Sequence, residues 1–147
     1  MIAKGKRILG IDFGMARLGL AISDERKIIS MPLSTLQADK KSEQTVKHLI
    51  DTIGKLQETY QCEIERIIIG LPLMMSGKMG LLADEVKHFV ALLSQATTIP
   101  IVTWDERLST VQAERSLRES SMTRKKRTKM VDTVSAAIIL QSYLDSL

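Results

Sequence analysis

The chain has 147 residues, of which 44% are hydrophobic, and it carries a formal net charge of +4. A single hydrophobic core typically occupies ~100–200 residues, so this length predicts one domain spanning residues 1–147. The single cysteine, Cys62, excludes an internal disulfide and a cysteine-based zinc site, and no run reaches the ~18 apolar residues of a membrane helix. Because the N-terminus lacks the apolar core of a signal peptide, we expect a cytoplasmic protein.

The opening of the chain has the pattern of three short β-strands. Residues 7–13 and 18–23 are apolar runs separated by GMAR, whose glycine favours a tight hairpin turn. A polar turn follows at residues 23–26, and a third strand is predicted near residues 27–35. These strands are expected to form an antiparallel meander.

The rest of the chain alternates between helix and strand patterns. Apolar residues at three- and four-residue steps predict a helix from Lys41 to Tyr60. Unbroken apolar residues in ERIIIGLPL predict a strand that is covered on both faces. Beyond it we predict a helix at 85–95, a strand at 99–104, a helix at 105–117, a basic loop at 120–129 and a helix at 130–147. The order βββ-α-β-α-β-α-α predicts a mixed sheet with helices on its faces, which several α/β folds share.

Asp12 is an unusual residue for an otherwise apolar strand. Strand alternation puts it on the same face as Gly10, and a glycine within a strand often marks the close approach of a ligand or of another backbone. An ionised carboxylate is costly to bury unless it is paired or binds a metal. The plainer interpretation is that Asp12 caps the turn at Gly14, and the sequence supports both equally.

Further acids stand near the predicted ends of elements. Asp105 and Glu106 follow a strand, and Asp132 lies in the first turn of the last helix. Each fits an ordinary acid at a helix N-terminus. Taken with Asp12, however, the separated carboxylates suggest a site for Mg²⁺ or Mn²⁺, with two ions able to promote phosphodiester cleavage. His48 and His88 lie on predicted amphipathic helices and are expected at the surface.

Positive charge is concentrated in residues 115–129, which hold seven Lys or Arg residues and one acid, a net charge of +6. The remainder of the chain is therefore at −2. Clustered cations gain affinity for nucleic acid by displacing phosphate counterions, although a solvated surface loop would explain the same run. Lys78, within the glycine-containing segment 70–80, could also meet a phosphate backbone.

Four segments together resemble one family. GIDFGMARLGLAISD, GLPLMMSGKMG, TWDERLST and DTVSAAIILQSYLD are similar, in this order, to motifs of the YqgF/RuvX family of bacterial ribonuclease H-like proteins. The resemblance implies a ribonuclease H-like three-layer α/β fold, in which a mixed five-stranded sheet begins with an antiparallel meander and has helices on both faces. It also implies a metal-dependent nuclease, a hydrolase that matures the 5′ end of pre-16S rRNA, or alternatively one that resolves Holliday junctions.

The resemblance assigns roles to individual positions. Asp12, Glu106 and Asp132 would be catalytic, and the metal ligands would be these three with Asp105. The nucleic-acid-binding set would be Lys78, Arg107, Arg124, Lys125, Lys126, Arg127 and Lys129. The expected partner is pre-16S rRNA or, failing that, branched DNA, with no membrane partner, and the expected state is a monomer or a weak homodimer.

Two departures and two alternatives accompany the resemblance. RuvC-type resolvases have an acid at the end of the fourth strand, where this chain has Gly70-Leu71-Pro72, and Met74 stands where the family usually has a polar residue. The alternatives are a nucleotide-binding domain of the actin or sugar-kinase kind, and a ribosome-assembly factor that binds RNA without cutting it.

Overall fold

The computed structural model describes residues 4–14, 16–71, 81–105 and 124–147, and in residues 124–132 the description covers the backbone. The strands are β1 (Gly5–Phe13), β2 (Arg17–Ser23), β3 (Ser30–Gln37), β4 (Cys62–Leu71) and β5 (Ile101–Asp105). The described helices are α1 (Ser42–Thr59), α2 (Leu81–Ala96) and α3 (Arg124–Asp145). No described helix is long and apolar enough to cross a membrane.

The five strands form one sheet in the order β3-β2-β1-β4-β5. The first three strands pair antiparallel, whereas β4 runs parallel to both β1 and β5. This arrangement confirms the predicted mixed sheet and its opening meander. It also brings the carboxyl ends of β1, β4 and β5 to one edge of the sheet, where ligands of open α/β sheets commonly bind.

Side chains from alternate strand positions build a core on each face of the sheet. Leu9 and Ile11 of β1 pack with residues of α1 and α2, and this side is called the α1/α2 face. Ile8 packs with residues of α3, and this side is called the α3 face. Ile68 of β4 also faces α3, while its neighbours on either side face α1 and α2, as the unbroken run of isoleucines predicted. The structure therefore has the expected three layers.

Most elements lie close to their predicted positions, and their bounds differ at the ends. β3 begins at Ser30 and continues to Gln37, β4 begins at Cys62, and α2 begins at Leu81. The prediction of a loop through residues 120–129 is wrong for its second half, because α3 already begins at Arg124. The helix predicted at 105–117 lies outside the described residues, apart from Asp105 at the end of β5.

Two local features hold β1 and β2 in register at their two ends. The hairpin closes where the Gly14 N–H donates to the Arg17 carbonyl at 3.0 Å. A Cβ at Gly14 would lie 2.7 Å from that carbonyl oxygen, which explains the glycine predicted for this turn. At the other end, the Ile8 N–H donates to the buried Ser23 hydroxyl at 2.8 Å, beside a shift of the β1–β4 register between Arg7 and Ile8.

Candidate active site at the carboxyl edge of the sheet

Asp12 lies on the α3 face, one residue before β1 ends. Its chain neighbours Ile11 and Phe13 are buried in the core of the α1/α2 face, so alternation turns Asp12 to the opposite side, with Ile8 and Gly10. The residue is only partly exposed. An acidic side chain is thus held at the carboxyl edge by a strand whose other side chains are anchored in the two cores.

Glycines occupy the sheet positions that surround Asp12. Gly10 precedes it on the same face, and Gly19 of β2 is its cross-strand partner. On the other side, Ile11 pairs with Ile69 of β4, so continuing the parallel register by one residue puts Gly70 level with Asp12. Strands lie ~4.8 Å apart, so a side chain at either neighbouring position would crowd the carboxylate. The sheet positions on either side of Asp12 instead carry no side chain.

Helix α3 fills the space above Gly10. A Cβ on Gly10 would lie 2.8 Å from the Cβ of Leu140 and 3.2 Å from the carbonyl oxygen of Ala136. Of the two explanations that the sequence left open for this glycine, close approach of another backbone is the one that the structure shows. Ala136, whose side chain is small, is fully buried at this contact.

The direction of α3 brings its first half toward Asp12. Tyr143 contacts Arg66, whose partner on β1 is Ile8, whereas Ala136 and Leu140 lie over Gly10. The helix therefore runs antiparallel to β1. Four helical residues rise ~6 Å and two strand residues ~6.6 Å, so the turn that precedes Ala136 extends toward the edge where Asp12 lies. That turn begins at Asp132.

Asp105 stands at the end of β5, two strands from Asp12. Gly70 pairs with Trp104, and Leu71 pairs with Asp105. The Trp104 side chain lies on the α3 face, because its ring meets Tyr143 edge to face at 5.3 Å and its indole N–H donates to Ser142 at 3.0 Å. By alternation the exposed Asp105 falls on the α1/α2 face, opposite to Asp12.

The remaining predicted residues divide into two groups. Glu106, Arg107 and Lys78 lie outside the described residues. Asp132 and the basic residues lie on the described backbone of α3, which includes Arg124, Lys125, Lys126, Arg127 and Lys129. The described part of the basic run, residues 124–129, is therefore helical and leads directly into the turn of Asp132.

No three metal-binding side chains cluster within the described part of the chain. Of the four acids predicted to bind metal, only Asp12 and Asp105 have described side chains, so the predicted metal site stays a prediction. His48 and His88 are both exposed, as expected for surface histidines. His48 Nδ1 lies 2.8 Å from a carboxylate oxygen of Asp39, so the carboxylate and the imidazole form a surface pair.

Sequence reasoning did not identify Gly19 and Gly70 as neighbours of Asp12, nor Ser135 as a buried polar residue. Gly19 and Gly70 become its neighbours only through strand pairing, which the sequence does not specify. Ser135 on α3 is fully buried, and its hydroxyl has no hydrogen-bond partner among the described residues. The alternation of LGLAIS could have assigned Gly19 to the face of Asp12 once the hairpin register was known.

Comparison with known proteins decides the family. A family model described as RuvX, Holliday junction resolvase, matches residues 6–146. The chain belongs to the RuvX family. This RuvX chain is 73% identical over 143 residues to a protein of Protochlamydia amoebophila (strain UWE25) named "Putative pre-16S rRNA nuclease", covering 97% of this chain and 95% of its relative. The resemblance noted from the four sequence segments is confirmed.

Solved structures show the same fold at low sequence identity. The Holliday junction resolvase of fowlpox virus matches this RuvX chain with a TM-score of 0.53 at 14% identity, covering 96% of this chain and 99% of the viral one. RuvC of Thermus thermophilus matches with a TM-score of 0.52 at 11% identity, covering 95% and 96%. The predicted ribonuclease H-like fold is confirmed. In this chain Gly70 and Leu71 end β4, so this strand ends without an acid.

Proposed function

We propose that this RuvX chain is a metal-dependent nuclease that hydrolyses phosphodiesters in structured RNA, and that it processes the 5′ end of pre-16S rRNA in the cytoplasm. The observation that carries the proposal is the setting of Asp12. Its partly exposed carboxylate has glycines at the neighbouring sheet positions, and the helix turn that begins at Asp132 extends toward the same edge. Family membership and the name of the 73% identical relative support the substrate.

The residues present fit a divalent cation of the hard type. Carboxylate oxygens are the ligands that Mg²⁺ and Mn²⁺ prefer, and Asp12 supplies one from a strand that packing keeps rigid. We propose Asp12, Glu106 and Asp132 as the ligand set. Asp105 is the weaker candidate because alternation puts it on the other face of the sheet. When bound, such ions lower the pKa of water and stabilise charge on phosphoryl oxygens.

The protein's own groups would bind and orient the substrate. Absence of side chains at Gly19 and Gly70 would let a phosphate group approach Asp12 closely. Predicted cations, among them Lys78, Arg107 and some of those of α3, would neutralise flanking phosphates. Aromatic residues make up only 3% of the chain, which disfavours recognition by stacking of unpaired bases and favours recognition of backbone and shape.

A second candidate function is cleavage of four-way DNA junctions, which the description of the family model favours. The same carboxylates would serve, since a site that binds phosphate does not itself read bases. The two candidates differ in the assembly they need. A symmetric junction requires a two-fold symmetric dimer, whereas a single RNA cut does not. Sedimentation equilibrium at the assay concentration would distinguish a monomer from a dimer.

The proposal is tested by cleavage assays with a charge-matched control. Wild type, Asp12→Asn and Asp51→Asn would each be incubated with a pre-16S 5′-leader RNA and with a four-way DNA junction, in Mg²⁺, Mn²⁺ or chelator. Asp51 is an exposed acid on α1, so its variant makes the same charge change at a different site. We expect cleavage of the RNA by wild type and Asp51→Asn with metal, and none by Asp12→Asn. RNA binding without cleavage by wild type would instead indicate an assembly factor.

A further inference from the structure

Helix α3 has a sheet-facing row, defined here as Ser135, Ala136, Ile139, Leu140, Tyr143 and Leu144. All six are buried, and Ala136 and Leu140 make the close contact with Gly10. An α-helix turns by about 100° per residue, so the rotational position of every other residue on the helix follows from this row. The row can therefore be extended into residues 124–129, the basic segment that begins the helix.

Two of the five basic positions fall on the extension of the middle of this row. Lys125 lies eighteen residues before Tyr143, which is about five complete turns. Lys129 lies seven residues before Ala136, about two turns. These two positions are called the basic row. Asp132 lies on the same side of the helix, seven residues after Lys125.

The other cations of the segment lie elsewhere around the helix. Arg127 is sixteen residues before Tyr143, which puts it about 160° away, on the opposite side of the helix. Lys126 and Arg124 lie on the two flanks, each about a quarter of a turn or more from the middle of the row. The basic positions are thus divided. Lys125 and Lys129 are on the side of the helix that continues the sheet-facing row, and Arg127 is on the opposite side.

The basic row also lies beyond the edge of the sheet. The helix turn that begins at Asp132 extends toward the edge where Asp12 lies, and the eight residues from Asp132 back to Arg124 rise ~12 Å further along the helix. On the α3 face, a strand of nucleic acid that reaches Asp12 at this edge would pass the row side of the helix. We propose that Lys125 and Lys129 bind phosphates of the strand that enters the Asp12 site, and that Arg127 does not.

This inference rests on the proposed function and deepens it, because it assigns the phosphate contacts to one side of α3. The test removes two positive charges, either from the basic row or from positions outside it. In the full-length chain with Asp12→Asn, which keeps the substrate intact, Lys125→Gln with Lys129→Gln would be compared with Lys126→Gln with Arg127→Gln. Affinity for the pre-16S 5′-leader RNA would be measured from 50 to 300 mM salt, and helix content by circular dichroism.

Each phosphate contact contributes close to one unit of slope in a plot of log affinity against log salt, equivalent to about five-fold in affinity at 0.15 M salt. Loss of the basic row should therefore lower the slope by about two units and weaken binding roughly 30-fold. The control pair should change the affinity by less than about three-fold, with equal helix content in both.

Equal losses for the two pairs, or a larger loss for the control pair, would overturn the inference and indicate a diffuse attraction. No binding by the parent chain would overturn both the inference and the proposed RNA substrate. If the basic row is required for binding but wild type cleaves no RNA with metal, the inference holds and the nuclease proposal fails.

Discussion

Replacing Gly10 by alanine tests whether the close packing of α3 on β1 holds the site together. The added Cβ would stand 2.8 Å from the Cβ of Leu140 and 3.2 Å from the Ala136 carbonyl oxygen. The first is a backbone-attached atom and the second is backbone, so neither can move aside by a rotamer change. Extra atoms in a well-packed core cost about 1–3 kcal/mol. Alanine also reduces the entropy of the unfolded chain, which recovers up to about 1 kcal/mol.

We therefore expect Gly10→Ala to lower the free energy of unfolding by about 1–2 kcal/mol, as measured by urea denaturation. Gly54→Ala is the matched control, because Gly54 is an exposed residue of α1 and a Cβ there would meet nothing within 4 Å. It should stabilise by up to about 1 kcal/mol, the difference between glycine and alanine in a helix. Wild-type stability in Gly10→Ala would refute the close contact between α3 and β1.

Two further predictions concern the hydrogen bonds that hold β2. Asp24 accepts the N–H groups of Ile29 and Ile28, and these bonds, led by that from Ile29, lower the pKa of its carboxyl. Because the lowered pKa belongs to the folded state, the stabilisation is present above the ordinary pKa and is lost as the pH falls below about 4. Asp24→Ala should cost about 1 kcal/mol at pH 7 and less at pH 3, which urea denaturation at both pH values would check; an equal cost at both would contradict it. Ser23→Ala should cost about 1–3 kcal/mol, since it leaves the buried Ile8 N–H without its acceptor, and a neutral result would indicate another acceptor.

The sequence predicted the fold correctly wherever the pattern of apolar side chains reflects burial. Ile67, Ile68 and Ile69 predicted a strand covered on both faces because both faces need apolar side chains. No such pattern predicted the early start of α3, because residues 124–129 are Arg, Lys and Thr and show no apolar periodicity. Arg and Lys are good helix formers, so a charged segment can extend a packed helix without any change in hydrophobic pattern.

Only part of the candidate site could be predicted from the sequence. Asp12 stood out in the sequence because a carboxylate is rare in an apolar strand. That Gly19 and Gly70 flank it follows from the pairing of three strands, which is a property of tertiary structure. The different faces of Asp12 and Asp105 likewise follow from the contacts of Trp104 with α3. Sequence identified the acids, and the sheet register distinguishes between them.

Direct measurement of metal binding tests the central claim, that Asp12 is a ligand of a divalent cation. Isothermal titration of Mn²⁺ into wild type, Asp12→Asn and Asp51→Asn, with no nucleic acid present, would separate metal binding from catalysis. We expect wild type and Asp51→Asn to bind with equal affinity and Asp12→Asn to show at least ten-fold weaker binding, about 1.4 kcal/mol. Undiminished Mn²⁺ affinity in Asp12→Asn would contradict the assignment of Asp12 as a metal ligand.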